Sequence, residues 1–346
     1  MYDFMAGSMV DRTRGAPDLG TPVRPAGANV AASAGARARR QTTTVDDMSQ
    51  PAVALIAVPG RRTRTVELAV EIERRGFTGI WCPSMGDCMA LCQDIAHATS
   101  TITMATSIQP IYLRHALDLG GHAAYLHEIS DGRFRLGLGV THQMVHNRLG
   151  VTVGKPLQDM REYVVGLRRV EKSAGPLPPI VLATLRDRML DLSLEISEGA
   201  VWANAAFSDM ARAVARIPTA RRDGGFVVAN MIPTVIDNDV AAAMAVNRRT
   251  MITYVQAPNY RNYWKLAGYV EEMEAIEAAL AAGNRNGLTD LMSDGWLNDV
   301  TLAGPADAVR ERLDAWADLG VTPIVVPSAI SGGQMAAMDA LFAAYA

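Results

Sequence analysis

At 346 residues and 49% apolar content the chain can bury a large core, and α/β barrels of this length commonly form one domain. The formal net charge of −3, with no Lys/Arg stripe interleaved with aromatics, gives no footprint for nucleic acid, and no apolar run approaches a membrane span. These features lead to the expectation of a soluble protein with neither a nucleic acid nor a membrane as partner.

Residues 1–47 are rich in Ala, Gly, Pro, Thr and Arg, lack an apolar period, and are expected to form a disordered N-terminal extension. The pair Arg39-Arg40 is followed by polar sequence instead of an apolar h-region, which argues against export. Residues 48–346 read as one domain. Residues 52–58 predict a buried strand and 63–75 an amphipathic helix stopped by Gly76. A strand at 79–82 and a helix at 87–100, capped by Asp87, follow. Next come strand 102–108, helix 115–130 and strand 133–140. A helix over 156–170 opens on Pro156, and 170–179 joins it directly to a fifth strand at 180–184. Helix 186–198, strand 200–205, helix 208–216 and strand 226–235 continue the series. A helical insertion fills much of 239–292, before helix 305–319 and an eighth strand at 323–326.

Apolar strands alternating with helices imply a parallel sheet covered on both faces, and eight units are the count of a closed (β/α)8 TIM barrel reaching about residue 330. The rival, an open dinucleotide-binding sheet, lacks its signature, because Val58-Pro59-Gly60-Arg61 is not a G-x-G-x-x-G turn. Cys82, Cys88 and Cys92 lie close together with no His or acidic partner at zinc-site spacing, so they read as reduced thiols in a cytoplasmic protein without a metal.

The segment from Gly132 to His142 carries most information. An alternating apolar strand ends in Gly137 and Gly139, then breaks into Thr141 and His142. Glycines there let something flat or anionic approach the backbone. The break falls at the carboxyl end of the fourth strand, where such barrels do their chemistry.

Several strings resemble the bacterial luciferase-like monooxygenase family, especially its actinobacterial branch of F420-dependent oxidoreductases. They are RRGFTGIW (74–81), TSTITMATSI (99–108), ISDGRFRLGLG (129–139), MREY (160–163) and PNYR (258–261). The resemblance implies a barrel binding coenzyme F420, or alternatively FMN, at the carboxyl ends of the strands, and a homodimer paired through helices near the early strands. Helix 115–130, with Gly120, Gly121, Ala123 and Ala124, suits such pairing.

By position, Ser107 and Ile108 match the bulge after strand three, often a non-proline cis peptide that supports the ring. Gly139, Val140 and Thr141 match the ring edge. Ala183, Thr184, Leu185 and Arg186 match the turn that receives the cofactor phosphate at a helix N-terminus. Relatives usually have Gly in that turn; Arg186 either adds a charged contact or obstructs it. Asn204, at the end of strand six, faces the same rim. His142 is the candidate catalytic acid/base group, since a histidine near neutral pKa suits proton transfer. His146 reads as a loop histidine. Tyr260, Arg261 and Trp264 open an inserted helix that either covers the mouth or packs in the core. Met85, Met144 and Met231 read as a greasy rim or as core.

Two departures from the family stand out. Ser84-Met85 replaces an acidic residue followed by His after strand two, and the connection 170–179 is short. Three readings follow. They are an F420-dependent oxidoreductase, an FMN-dependent monooxygenase, and a barrel that has lost catalysis and only binds flavin or serves structurally.

Overall fold

Short parallel strands carry the architecture of the protein in the computed structural model, which describes residues 50–142, 145–147 and 150–346. The chain divides into residues 1–46 and 47–346, and every described residue belongs to the second unit. The predicted N-terminal extension and Met144 lie outside the described residues.

The strands are β1 (Ala52–Ala54), β2 (Gly79–Cys82), β3 (Thr103–Thr106), β4 (Gln109–Pro110), β5 (Phe134–Gly139), β6 (Ile180–Ala183), β7 (Gly199–Ala203), β8 (Val227–Ile236), β9 (Leu302–Gly304) and β10 (Thr322–Ser328). Their order is β1-β2-β3-β5-β6-β7-β8, and β10 pairs with both β8 and β1, which closes an eight-stranded parallel barrel. The TIM barrel expected from the sequence is therefore the observed fold. β4 is a two-residue strand on β5, and β9 extends the far end of β8.

The helices are α1 (Arg62–Arg74), α2 (Cys88–Ala98), α3 (Ala116–Ile129), α4 (Pro156–Ala174), α5 (Asp187–Ile196), α6 (Phe207–Ala215), α7 (Thr219–Asp223), α8 (Val240–Val255), α9 (Pro258–Leu266), α10 (Val270–Ala281), α11 (Asp294–Val300), α12 (Ala306–Asp318) and α13 (Gly333–Ala344). The Asp87 carboxylate caps α2 as predicted, accepting from the N–H groups of Met89 and Ala90 at 3.2 and 3.1 Å.

Two cores follow from the period-two alternation of the strands. In β5, Phe134, Leu136 and Leu138 face the helices, whereas Gly137 and Gly139 face the barrel interior. That interior is narrow, and Ala52, Ala54, Trp81, Ala105, Val181, Val201, Ala229 and Ile324 fill it.

The two glycines of β5 do a different job from the one their sequence suggests. A Cβ on Gly137 would lie 1.8 Å from the Thr106 carbonyl oxygen, and one on Gly139 would lie 2.6 Å from the Ile108 side chain. The space is taken by the tail of β3 itself, not left free for a ligand. Thr106 Oγ1 also donates to the Gly137 carbonyl at 2.7 Å. The expected third strand consequently stops at Thr106, turns through a cis Ser107–Ile108 peptide, and resumes as β4.

Residues 239–292 form the expected insertion, α8 to α10 and a 3-10 turn, followed by α11 and β9. The barrel runs past residue 330, because α13 completes the eighth unit. That helix is apolar on most sides and lacks the amphipathic stripe that marks a helix in sequence. It packs against β10 and β8, and its C-terminal end meets the turn between α1 and β2. Phe77 meets Phe342 and Tyr345 at ring centroids 6.0 and 5.6 Å apart, and the Arg75 guanidinium lies 4.4 Å from the Phe342 ring centroid.

Gly137→Ala is expected to cost at least about 3 kcal/mol, since backbone carbonyl and Cβ cannot both stay. Gly139→Ala meets the Ile108 side chain and, less closely, the Ala183 Cβ, but no backbone atom, and should cost about 1–2 kcal/mol. Urea denaturation of the two variants checks this; equal losses would show that the β3–β5 contact does not control the fold.

Candidate active site

The carboxyl ends of β3, β5, β6, β7 and β8 bring most of the predicted residues together. Ile108 lies against Gly139, and the Ala183 Cβ would be 3.1 Å from a Cβ at that glycine. Across the barrel, Ser107 Oγ reaches Met231 Sδ at 2.7 Å, while the Ser107 N–H donates to the Cys82 carbonyl. Met231 is thus part of the wall beside the cis peptide. Its own carbonyl accepts from the Asn204 N–H at 2.9 Å, which links β8 to the end of β7.

Asn204 is buried and left-handed, with φ +57°. Asparagine tolerates this region better than most residues. Its carbonyl accepts from Trp264 Nε1 at 3.1 Å, and the nearby Ala206 N–H donates to Tyr263 Oη at 3.0 Å. These two bonds seat α9 over the strand ends. Tyr260 and Trp264 therefore both cover the mouth and pack in the core, whereas Arg261 turns away to the Val255 carbonyl and Glu277. Tyr254 and Tyr260 meet edge to face, and Tyr260 in turn faces the His142 ring at 5.3 Å. Burial pushes both phenols up, while the Asn204 side chain beside Tyr254 pulls that one the other way.

Within this cluster several polar atoms are buried without a hydrogen-bond partner among the described residues: Thr141 Oγ1, His142 Nδ1, Asn204 Nδ2 and Asn230 Nδ2. Thr141 is also left-handed, at φ +57°. Burial, with His146 adding repulsion, lowers the pKa of His142 below its ordinary 6.5, so its ring is neutral at neutral pH. His146, which reads as a loop histidine, falls in a helical turn at 145–147. It is buried, its Nε2 lies against the Val140 carbonyl, and its ring meets Tyr112 edge-on at 5.2 Å.

The turn after β6 is organised differently from expectation. The Thr184 N–H is already given to the Val201 carbonyl at 2.9 Å, so it is not a free donor. The N–H groups of Asp187 and Arg188, first in α5, have no intrahelical acceptor. Arg186 is exposed, sits at the N-cap and forms no ion pair among the described residues. The Asp187 carboxylate is held by Arg212 at 2.9 Å, with Arg216 at 3.6 Å, which offsets its negative charge beside the helix end.

After β2, Met85 is 60% exposed and no acid or base replaces the missing pair. The thiols beneath are buried and free, and burial pushes Cys88 up to about 12, so they offer no nucleophile. Among the described residues no cluster of His, Cys, Asp and Glu could hold a metal, and no helix is long and apolar enough to cross a membrane.

The strand ends thus gather unpartnered polar groups under an aromatic roof, beside the N-terminus of α5. The family model of luciferase-like monooxygenases matches residues 43–323, and the chain belongs to that family. A 5,10-methylenetetrahydromethanopterin reductase of Methanolobus tindarius is 24% identical over 288 residues, 75% of this chain and 88% of its own. A putative coenzyme F420-dependent oxidoreductase of Mycobacterium tuberculosis is 25% identical over 278 residues, 66% of this chain and 80% of its own. Among solved structures, the coenzyme F420-dependent tetrahydromethanopterin reductase from Methanopyrus kandleri superposes with a TM-score of 0.66 at 20% identity. The match covers 84% of this chain and 97% of that one.

The lowered value of His142 has a stability consequence. Below about 6.5 the unfolded chain takes up the proton more readily than the folded one, so stability falls as pH drops through that window. The melting temperature should therefore fall less between pH 7 and pH 5 in His142→Gln than in the parent. His122, also lowered by burial, leaves a residual slope in both. Identical slopes would show that His142 titrates normally.

Proposed function

We propose that the protein is an F420-dependent oxidoreductase that exchanges hydride between the deazaflavin and a small organic substrate. The observation that carries this reading is the set of buried, unpartnered polar atoms on Thr141, His142 and Asn204, gathered under Tyr254 and Tyr260 at the strand ends. Such groups each cost about 1–3 kcal/mol unless something satisfies them. A ring carrying carbonyl and N–H groups on its edge fits that need. The F420-dependent relatives support the choice of ring.

When bound, the deazaflavin supplies the hydride chemistry, and the protein supplies binding, orientation and proton handling. In this reading Ser107, Ile108, Val140 and Thr141 hold the ring, and Gly139 acts only by making room for Ile108. Ala183, Leu185 and Arg186, with the first turn of α5, receive the phosphate, the Thr184 N–H being spent on Val201, and Asn204 adds a polar contact at the rim. His142, kept neutral, exchanges a proton with the substrate. The α9 roof excludes water. FMN presents a similar ring and phosphate, so its binding in preference to F420 would indicate flavin-dependent monooxygenation. Binding of neither would leave a non-catalytic barrel.

The buried free thiols support a reducing, cytoplasmic location. A homodimer through α3 is supported by Leu117 and Tyr125, exposed at 58% and 52% on one side of the helix, with open space over Gly121 between them.

Fluorescence titration of the purified protein with F420 and with FMN tests the reading, and micromolar binding of F420 is the expected result. Arg186→Ala should weaken that binding roughly ten- to hundredfold, the effect of losing one charge-assisted bond of about 1.5–3 kcal/mol. Unchanged or tighter binding would place the phosphate elsewhere or make Arg186 an obstruction. Sedimentation velocity should show a dimer that Leu117→Glu with Tyr125→Glu converts to monomer; a monomeric parent would end the dimer proposal.

A further inference from the structure

We propose that His146 is a positioning residue that holds the Val140 carbonyl, and through it the Thr141–His142 edge of the mouth, in the orientation the cofactor ring requires. The proposal rests on the cofactor reading given above.

The geometry around His146 is that of a built clamp. Its Nε2 lies 2.5 Å from the Val140 carbonyl oxygen. A carbonyl only accepts, so Nε2 carries the proton. Nδ1 is buried and has no hydrogen-bond partner among the described residues. The ring edge packs on Tyr112, whose hydroxyl donates to Asp159 Oδ2 at 2.7 Å, and the same oxygen accepts from the Gly154 N–H at 2.9 Å. The main chain holds the same stretch a second time, because the N–H groups of Val145 and His146 both donate to the His142 carbonyl, at 2.8 and 3.0 Å.

What needs holding is the peptide between Val140 and Thr141. Thr141 is β-branched and left-handed, a strained conformation that persists only where the surroundings impose it. The carbonyl gripped by His146 is the one that precedes Thr141, so this single bond fixes the rotation of that peptide. With it go the direction of the unpartnered Thr141 hydroxyl and the seat of His142 against Tyr260. Tyr112 meets the His146 ring and Tyr260 the His142 ring, with Asp159 bonded to the first tyrosine and Tyr254 packed on the second.

The test uses the full chain with His146→Leu and His146→Gln, since a glutamine amide can still donate to the Val140 carbonyl. In His146→Leu the Kd for F420 should rise roughly tenfold, the loss of about one hydrogen bond, and the visible absorption band of the bound cofactor should move. His146→Gln should retain the parent band and stay within about threefold in Kd. A readout without cofactor is the Thr141 methyl resonance, which should move in His146→Leu and hold its place in His146→Gln. Parent-like affinity, spectrum and Thr141 resonance in His146→Leu would overturn the proposal. If the parent binds neither F420 nor FMN, the cofactor reading fails and the Thr141 resonance decides the clamp alone. If His146→Leu does not fold, His146→Gln decides: parent-like behaviour supports the clamp, and a shifted Thr141 resonance overturns it.

Discussion

The close approach of β3 and β5 sets the geometry on which the mouth of this barrel depends. The Thr106 carbonyl points into the place where any side chain at residue 137 would stand. With that contact made, β3 cannot run on beside β5, and the chain turns at Ser107-Ile108 before pairing again as β4. Ile108 then lies over Gly139 and Ser107 reaches across to Met231. Three strands are thereby tied at the level where a ring would rest. A pair of missing side chains on one strand thus shapes the surface formed by its neighbours.

The roof over that surface comes from elsewhere in sequence. α9 lies about sixty residues beyond β7, and it is seated by two donors given across that gap, Trp264 Nε1 to the Asn204 carbonyl and the Ala206 N–H to Tyr263. Between floor and roof the protein leaves polar atoms unsatisfied and two non-glycine residues, Thr141 and Asn204, left-handed. Stability alone would not select this arrangement, because each feature costs on the order of 1 kcal/mol or more. Burial at the mouth also keeps His142 neutral.

Much of this was legible in sequence, for identifiable reasons. Strand and helix periods are local, so the eight units and the insertion could be read directly, and Asp87 announced its cap because the capping bonds are made within three residues. α13 escaped notice because a helix apolar on most sides carries no stripe to read. Gly137 and Gly139 were correctly singled out, but the occupant of the space they leave is 29 to 31 residues away in sequence, and only the folded chain shows that it is Thr106 and Ile108. His146 reads only as a loop histidine, because its packing on Tyr112, with Asp159 behind, exists only in the folded chain.

The sequence by itself determined the number and order of the strand–helix units, the family, and the strand ends at which polar residues accumulate. These are carried by local periodicity and by short strings that depend only on neighbours along the chain. Tertiary structure decided which donors remain free. It took the Thr184 N–H for Val201, left Thr141, His142 and Asn204 unsatisfied, and turned Tyr260 onto His142. Whether a polar atom is spent or available depends on what the fold brings within about 3 Å of it, and no local pattern encodes that distance.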